Sequence, residues 1–150
     1  MKRSGVGMKY LIPAIIGLFA FIGLADSFYL ALVHYDIVSP LTIENSGACQ
    51  LAARSCADVI VSQNSTFFGI PHAILGMGYF GLLLGAVLVR FIIGRWFAPF
   101  EMLGFLIFGL AFSAYLAQEL LLRMHVPCSF CPTAHALNVV IIALYTVSLQ

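Results

Sequence analysis

The chain has 150 residues, of which 62% are hydrophobic and only 9% are Asp, Glu, Lys or Arg. Soluble domains average about 45–50% apolar and about 25% charged residues, so this chain has too few charges to cover a water-facing surface. Its net charge of +1 provides no basic field for nucleic acid. The composition therefore excludes a soluble enzyme and a nucleic-acid-binding protein, and the length fits one domain.

Four apolar runs follow one another along the chain, at about residues 10–33, 70–90, 97–122 and 128–149. Each is long enough to cross a hydrocarbon core as an α-helix, whose backbone hydrogen bonds are satisfied internally. The sequence shows neither the alternation of a barrel strand nor an internal repeat. We therefore predict an all-α integral membrane protein, in which residues 1–150 form a single four-helix transmembrane bundle.

The first apolar run begins like a secretory signal peptide, because basic residues precede it and Leu24-Ala25-Asp26 resembles a cleavage site. However, the run continues to Val33, past the usual length of a signal-peptide core. We expect this helix to be retained.

The basic residues predict the orientation of the four helices. The two termini and the connection near residues 90–97 share one side, and five of the seven basic residues lie there: Lys2, Arg3, Lys9, Arg90 and Arg95. The positive-inside rule then predicts a multi-pass cell-membrane protein with both termini in the cytoplasm. The long loop 34–69, with a short helix expected within residues 48–61, and the turn near residues 123–127 would be extracytoplasmic.

All four cysteines fall on the predicted extracytoplasmic side. Cys49 and Cys56 lie in the long loop, whereas Cys128 and Cys131 form a C-x-x-C at the entrance of the last helix. Extracytoplasmic compartments permit disulfides. The spacing suggests two local bridges, Cys49–Cys56 and Cys128–Cys131, although the sequence alone allows three connectivities.

The C-x-x-C pattern favours redox chemistry. Pro132 suits the first turn of a helix, and thiols at i and i+3 near a helix N-terminus are stabilised as thiolates. A structural staple and half of a zinc site remain alternatives, but the six residues between Cys49 and Cys56 do not suit zinc. No His follows Cys131 directly, so the c-type haem signature is absent, and we predict no metal.

Two further features lie within the apolar runs. Asp26 is expensive in lipid, so we expect it to hydrogen-bond to Ser27 or to a neighbouring helix, with proton supply as an alternative. Gly81-x-x-x-Gly85 has the spacing of glycines that let helices pack closely.

Taken together, three segments resemble the vitamin K epoxide reductase family, and most closely its bacterial and archaeal members, which reduce quinone while making disulfides. The segments are Cys49-x6-Cys56 continuing to Ser62, Phe68-Gly69-Ile70-Pro71, and Cys128-Ser-Phe-Cys131. With the order of the four apolar runs, the likeness extends over about residues 10–149.

The resemblance implies a four-helix bundle that encloses a quinone, either ubiquinone or menaquinone, within a membrane oxidoreductase that generates disulfides. By position, Cys49 would receive electrons from an extracytoplasmic thioredoxin-like protein. Cys56 would exchange with Cys128, and Cys131 would face the quinone. We expect the protein to lack the fused thioredoxin-like domain of some bacterial members, so the thiol partner is expected to be a separate polypeptide.

The resemblance and the helix spacing also suggest quinone contacts. Ser62 matches a Ser or Thr that follows the loop cysteines in the family, and Phe68 belongs to the Phe-Gly-Ile-Pro element. His135 lies at i+4 from Cys131, on the same helix face, where it would bind a quinone carbonyl or be satisfied by a backbone carbonyl. His72, at the start of the second helix, is a further candidate.

Two other functions remain open from the sequence. One is reduction of vitamin K epoxide, which is weakened because vertebrate members have a tyrosine where this chain has His135. The other is a non-catalytic membrane protein with a disulfide-stapled outer loop, which the C-x-x-C at a helix start disfavours.

Overall fold

The computed structural model of the protein describes residues 4–39, 66–119 and 130–149. Four long helices and one short hairpin follow in the order α1 (Ser4–His34), β1 (Thr66–Phe67), β2 (Ile70–Pro71), α2 (His72–Ile93), α3 (Pro99–Glu119) and α4 (Phe130–Ser148). The prediction of a mostly helical protein is confirmed. The short helix expected within residues 48–61 lies outside the described residues.

Among the described residues, three helices contain stretches long and apolar enough to cross a membrane: Tyr10–His34, His72–Ile93 and Pro99–Gln118. The apolar stretch in α4 is shorter, Thr133–Ser148, although all 19 residues of α4 rise about 28 Å, close to the ~30 Å of a bilayer core. Large apolar side chains such as Leu82, Ile92 and Phe100 are exposed on the outside. Such a surface suits lipid, and the chain is a multi-pass membrane protein.

The helices form an antiparallel bundle in which α1 packs along α2 and α4, while α4 packs along α3. We call the end where α1 finishes and α2 and α4 begin the His72 end. The opposite end, which carries the connection between α2 and α3, is the Trp96 end. The core between the helices is built from fully buried side chains, the largest being Tyr145, Ile16, Leu83, Leu106 and Ile141.

Glycines bring α1 and α2 close together. A Cβ on Gly23 would lie 2.6 Å from the Phe80 ring, and a Cβ on Gly76 would lie 2.6 Å from the Ser27 hydroxyl oxygen. The prediction that Gly81 and Gly85 let helices pack closely is wrong. A Cβ at either position would meet no atom of a neighbouring helix within 4 Å among the described residues. The pattern identified small residues correctly but not the helix face that packs.

A tight hairpin precedes α2, and the sequence did not predict it. Phe67 pairs with Ile70 across an antiparallel turn, whose central residues Phe68 and Gly69 have φ of 52° and 80°. Two successive positive φ angles are typical of a type I′ turn, which glycine makes accessible. The hairpin fixes where α2 begins, two residues after the predicted start.

A buried cluster closes the Trp96 end. Trp96 donates a hydrogen bond from Nε1 to Ser148 Oγ at 3.0 Å and meets the Tyr145 ring edge-to-face at 4.9 Å. The Arg90 guanidinium lies 5.8 Å from the centre of the Trp96 ring. These contacts tie the connection between α2 and α3 to the end of α4.

Candidate functional site

A histidine and a serine meet inside the bundle, toward its His72 end. The Nδ1 atom of His135, on α4, forms a short hydrogen bond with the Oγ atom of Ser113, on α3. Ser113 is buried. The other ring nitrogen of His135, Nε2, is also buried and has no hydrogen-bond partner within residues 4–39, 66–119 and 130–149. The ring is therefore held at one nitrogen while its second nitrogen is available to a ligand.

This arrangement suits recognition of a carbonyl oxygen. When the Ser113 hydroxyl donates to Nδ1, the neutral imidazole carries its proton on Nε2, which then becomes a donor. A buried donor without a partner costs about 1–3 kcal/mol, so an acceptor that reaches Nε2 recovers that energy. The carbonyl oxygens of a quinone are acceptors of this kind.

A second hydrogen bond crosses the bundle one helical turn further along α4. Tyr79, on α2, donates from its hydroxyl to Oδ1 of the buried Asn138 at 2.6 Å. The Tyr79 ring stacks on Phe105 of α3 at 4.8 Å between ring centres. It also passes directly over Gly109, where a Cβ would collide with the ring and the hydroxyl. Tyr79 thus joins three helices.

The predicted redox cysteine Cys131 is the second residue of α4. His135 and Asn138 follow it at i+4 and i+7, so the three positions share one face of the helix. The side chain of Cys131 lies outside the described part of the structure. At the level of the backbone, Cys131 therefore shares the helix face that carries both buried polar groups.

Aromatic rings gather between the hairpin and α3 at the His72 end. Phe67 lies edge-on to Phe112 at 5.7 Å and to Tyr115 at 6.3 Å. His72 also approaches Phe112, with ring centres 6.1 Å apart. Since Phe112 precedes Ser113 in α3, this cluster adjoins the His135–Ser113 pair and gives it an apolar border.

The residues predicted to contact the quinone lie in different parts of the structure. His135 lies inside the bundle and His72 at the aromatic cluster, whereas Phe68 occupies the turn and is 92% exposed. The structure does not bring Phe68 to the His135–Ser113 pair. Phe67, its neighbour, makes the contacts with α3 instead. The remaining predicted site residues lie outside the described residues: Cys49, Cys56, Ser62 and Cys128.

Three polar residues of this region were not identified from the sequence: Tyr79, Ser113 and Asn138. A signal for two of them was present, because Ser113 and Asn138 are polar residues within apolar runs, and such residues usually face a bundle interior. Tyr79 gave no comparable signal, since tyrosine is common at membrane interfaces.

Asp26 lies on the inward face of α1. Val33, seven residues later and on the same helix face, is fully buried, and Phe19, seven residues earlier, packs against the core. The Oδ2 atom of Asp26 is buried and accepts no hydrogen bond from the described residues. The expected hydrogen bond is therefore not found at this oxygen.

A separate cleft of about 280 Å³ lies between α2 and α3 toward the Trp96 end. Its walls are mostly apolar: Leu82, Ala86, Val89, Phe97, Ala98, Glu101, Met102 and Phe105. Phe105 also stacks on Tyr79. The cleft is thus connected through Phe105 and Tyr79 to Asn138 on α4.

Comparison with known proteins identifies the family. The model of the vitamin K epoxide reductase family matches residues 14–146, which is most of the chain. Neither the search of curated proteins nor that of solved structures found a match. The matched range includes all four helices in large part and, on them, Tyr79, Ser113, His135 and Asn138. The chain belongs to the vitamin K epoxide reductase family.

Proposed function

We propose that this protein is a thiol:quinone oxidoreductase that generates disulfides in an extracytoplasmic partner. The family suggests a membrane oxidoreductase that acts on quinones and thiols. The observation that carries the finer proposal is the buried Nε2 of His135, which has no partner among the described residues and lies one helical turn beyond Cys131. A quinone carbonyl hydrogen-bonded there would be next to the C-x-x-C thiols.

The proposed reaction is a relay of thiol–disulfide exchanges. A thiolate of the reduced thioredoxin-like partner attacks the Cys49–Cys56 disulfide, and the partner's second thiol completes its own disulfide. Cys56 then attacks the Cys128–Cys131 disulfide, which leaves Cys128 and Cys131 reduced while Cys49–Cys56 reforms. Each exchange breaks one S–S bond and forms another through a mixed disulfide.

In the last step, Cys128 and Cys131 return to the disulfide and release two electrons and two protons. The quinone accepts both and leaves as the quinol, so the overall reaction converts a partner dithiol and a quinone into a partner disulfide and a quinol. His135 holds a carbonyl oxygen and provides a proton-carrying nitrogen at that oxygen. Ser113 orients the imidazole.

The membrane orientation belongs to this proposal. Both termini and the Trp96 end would face the cytoplasm, and the His72 end would face outward with the four cysteines. Support comes from the basic residues, five of which lie toward the cytoplasmic side of this arrangement. A cytoplasmic Trp96 end would also place Trp96 near a membrane interface, where tryptophan is common.

The direct test is oxidation of a reduced thioredoxin-like protein by the purified protein, without oxygen and with ubiquinone or menaquinone supplied in turn. We expect partner disulfide and quinol to appear together. Vitamin K epoxide is offered as a separate oxidant, and its faster reduction would favour the vertebrate-type activity. If neither quinone is consumed while the partner still forms a mixed disulfide with Cys49, the quinone assignment is wrong.

A further inference from the structure

Tyr79 stands between the polar group near His135 and the open, outward-facing cleft between α2 and α3. On one side its hydroxyl reaches Asn138, three residues beyond His135 on α4. On the other side its ring stacks on Phe105, which lines the cleft of about 280 Å³ toward the Trp96 end. The phenol ring therefore lies between Asn138 on α4 and Phe105 at the wall of that cleft.

The position of the Tyr79 ring is fixed from three directions. Asn138 accepts its hydroxyl hydrogen at an O···O distance of 2.6 Å. Phe105 supports one face of the ring with an interplanar angle of 25°. The Phe80 ring meets its edge at 5.2 Å. The absence of a side chain at Gly109 leaves the space into which the ring fits.

Because these contacts hold the Tyr79 ring in place, the ring limits the size of a group that binds beside it. His135 and Asn138 are three positions apart on α4, which corresponds to a rise of only about 4.5 Å. A flat ring that hydrogen-bonds to His135 would thus lie against or close to the Tyr79 phenol. Close-packed interiors distinguish groups by one or a few carbon atoms, typically by about 10–200-fold in rate.

We propose that Tyr79 forms the inner wall of the quinone site and determines how large a quinone ring the site accepts. This inference rests on the proposed function, because it assumes that a quinone binds at His135. Tyr79 is a specificity-determining residue in this account. On this proposal, removing the phenol gives a fused two-ring naphthoquinone more room relative to a single-ring benzoquinone, and displacing the phenol inward gives it less.

The test measures kcat/KM for a short-chain benzoquinone and for a naphthoquinone with the same side chain, using the full-length protein and a reduced thioredoxin-like partner. For Tyr79→Leu, we expect the naphthoquinone-to-benzoquinone ratio to rise at least fivefold. For Tyr79→Phe, which keeps the ring and the stack on Phe105, the ratio should stay within twofold of the original protein.

Two glycine variants on α3 provide a matched pair. Gly109→Ala places a methyl group against the Tyr79 ring and drives it toward the bundle interior, so the ratio should fall at least twofold. Gly104→Ala adds the same methyl group where no atom of the described residues lies within 4 Å, and the ratio should not change. Gly109→Ala keeps the proposal testable if Tyr79→Leu does not fold.

The outcomes separate this inference from the proposed function. If the original protein reduces both quinones but the ratio stays within twofold in both Tyr79→Leu and Gly109→Ala, the role of Tyr79 is overturned and the proposed function stands. Equal losses with both quinones would indicate a merely structural role and would also overturn it. If the original protein reduces neither quinone, both proposals fail.

Discussion

His135 and Ser113 form a polar pair in a bundle whose interior is otherwise largely apolar. Ser113 satisfies Nδ1 of His135, and the opposite nitrogen is buried without a partner among the described residues. A buried nitrogen without a partner lowers the stability of the protein when no ligand is bound. Such a nitrogen is typical of a side chain that binds a ligand. In our account, His135 holds the quinone and Ser113 sets the orientation of the imidazole.

Replacing His135 should therefore impair quinone reduction without impairing thiol exchange. For His135→Phe, we expect kcat/KM for quinone to fall by about 10–100-fold, corresponding to roughly 1.4–2.7 kcal/mol of lost transition-state stabilisation. The rate at which the reduced partner forms its mixed disulfide should be unchanged. Stopped-flow quinol absorbance and acid-quenched thiol trapping measure the two steps separately, and an equal loss in both steps would contradict the role of His135.

Ser113→Ala should also lower kcat/KM for quinone, but by less than His135→Phe. The histidine remains, but its ring loses the hydrogen bond that orients it, and we expect kcat/KM for quinone to fall by roughly 3–10-fold. Thr146→Val is the matched control, because the Thr146 hydroxyl bonds only to the Ala143 carbonyl oxygen on the exposed surface of α4. Similar losses in both variants would argue against a specific role for Ser113.

At this scale, the sequence singled out His135 as a candidate but did not predict the residues that it contacts. The i+4 spacing from Cys131 was sufficient to place His135 on the same helix face as the C-x-x-C. The contact with Ser113 joins residues 22 positions apart, and that between Tyr79 and Asn138 joins residues 59 positions apart. Tertiary pairings of this kind depend on how helices face one another, which a single sequence does not specify.

Among the elements, α1 and α2 approach most closely at glycines. Gly23 accommodates the Phe80 ring, and Gly76 accommodates the Ser27 hydroxyl. Close backbone approach of this kind lets helices associate in lipid, where the hydrophobic effect does not drive their packing. The α1–α2 pair provides one side of the bundle against which the site is built.

We therefore expect Gly23→Ala to destabilise the protein by about 1–3 kcal/mol, the usual cost of overpacking a core. Gly81→Ala is the control on α2, where the added methyl group has open space. That variant should be neutral or slightly stabilising, because alanine favours a helix over glycine by about 1 kcal/mol. The stability of the two variants is compared by thermal unfolding in detergent. Equal unfolding midpoints for Gly23→Ala and Gly81→Ala would show that Gly23 does not mediate close packing.

The connection between α2 and α3 is held by Trp96. The Trp96 indole and the Ser148 hydroxyl should be coupled by about 1 kcal/mol, measurable by a double-mutant cycle with Trp96→Phe and Ser148→Ala. Quinone reduction should be unaffected in the singly substituted proteins, since the pair lies at the end of the bundle opposite His135. A coupling energy near zero would contradict the role assigned to this hydrogen bond.

Helix positions were predicted better than the connections. The predicted starts of α2 and α3 lie two residues before the observed ones, because hydropathy marks an apolar run rather than a cap. The start of α1 lies six residues earlier than predicted, in a less apolar segment that begins at Ser4. The hairpin was missed because strands of two residues have no periodicity to detect.

For the whole molecule, an antiparallel bundle places the beginnings of α2 and α4 at one end. Cys131, the aromatic cluster and the His135–Ser113 pair all belong to this His72 end. The opposite end contains the Trp96 cluster and the predominantly apolar cleft. In the proposed orientation, electrons from the partner enter on the extracytoplasmic, oxidising side of the membrane. The oxidant is an apolar quinone, which enters the bundle interior from the lipid.

The orientation predicts a specific labelling pattern. In a cysteine-free background, Tyr35→Cys at the His72 end should react with a membrane-impermeant maleimide in intact cells. Phe97→Cys at the Trp96 end should react only after the membrane is permeabilised. Both native side chains are well exposed, at 55% and 73%, so access is not limited by packing. The reverse labelling pattern would show that the orientation predicted from the basic residues is wrong.

The central claim is that the C-x-x-C thiols pass their electrons directly to a quinone, and a single-turnover titration tests it most directly. Protein reduced beforehand and freed of reductant is mixed with a quinone without oxygen or partner, and quinol and remaining thiols are counted. We predict one quinol for every two thiols lost, with Cys128 and Cys131 oxidised first, and no quinol from Cys131→Ala. Quinol formation by Cys131→Ala at the original rate would contradict the account.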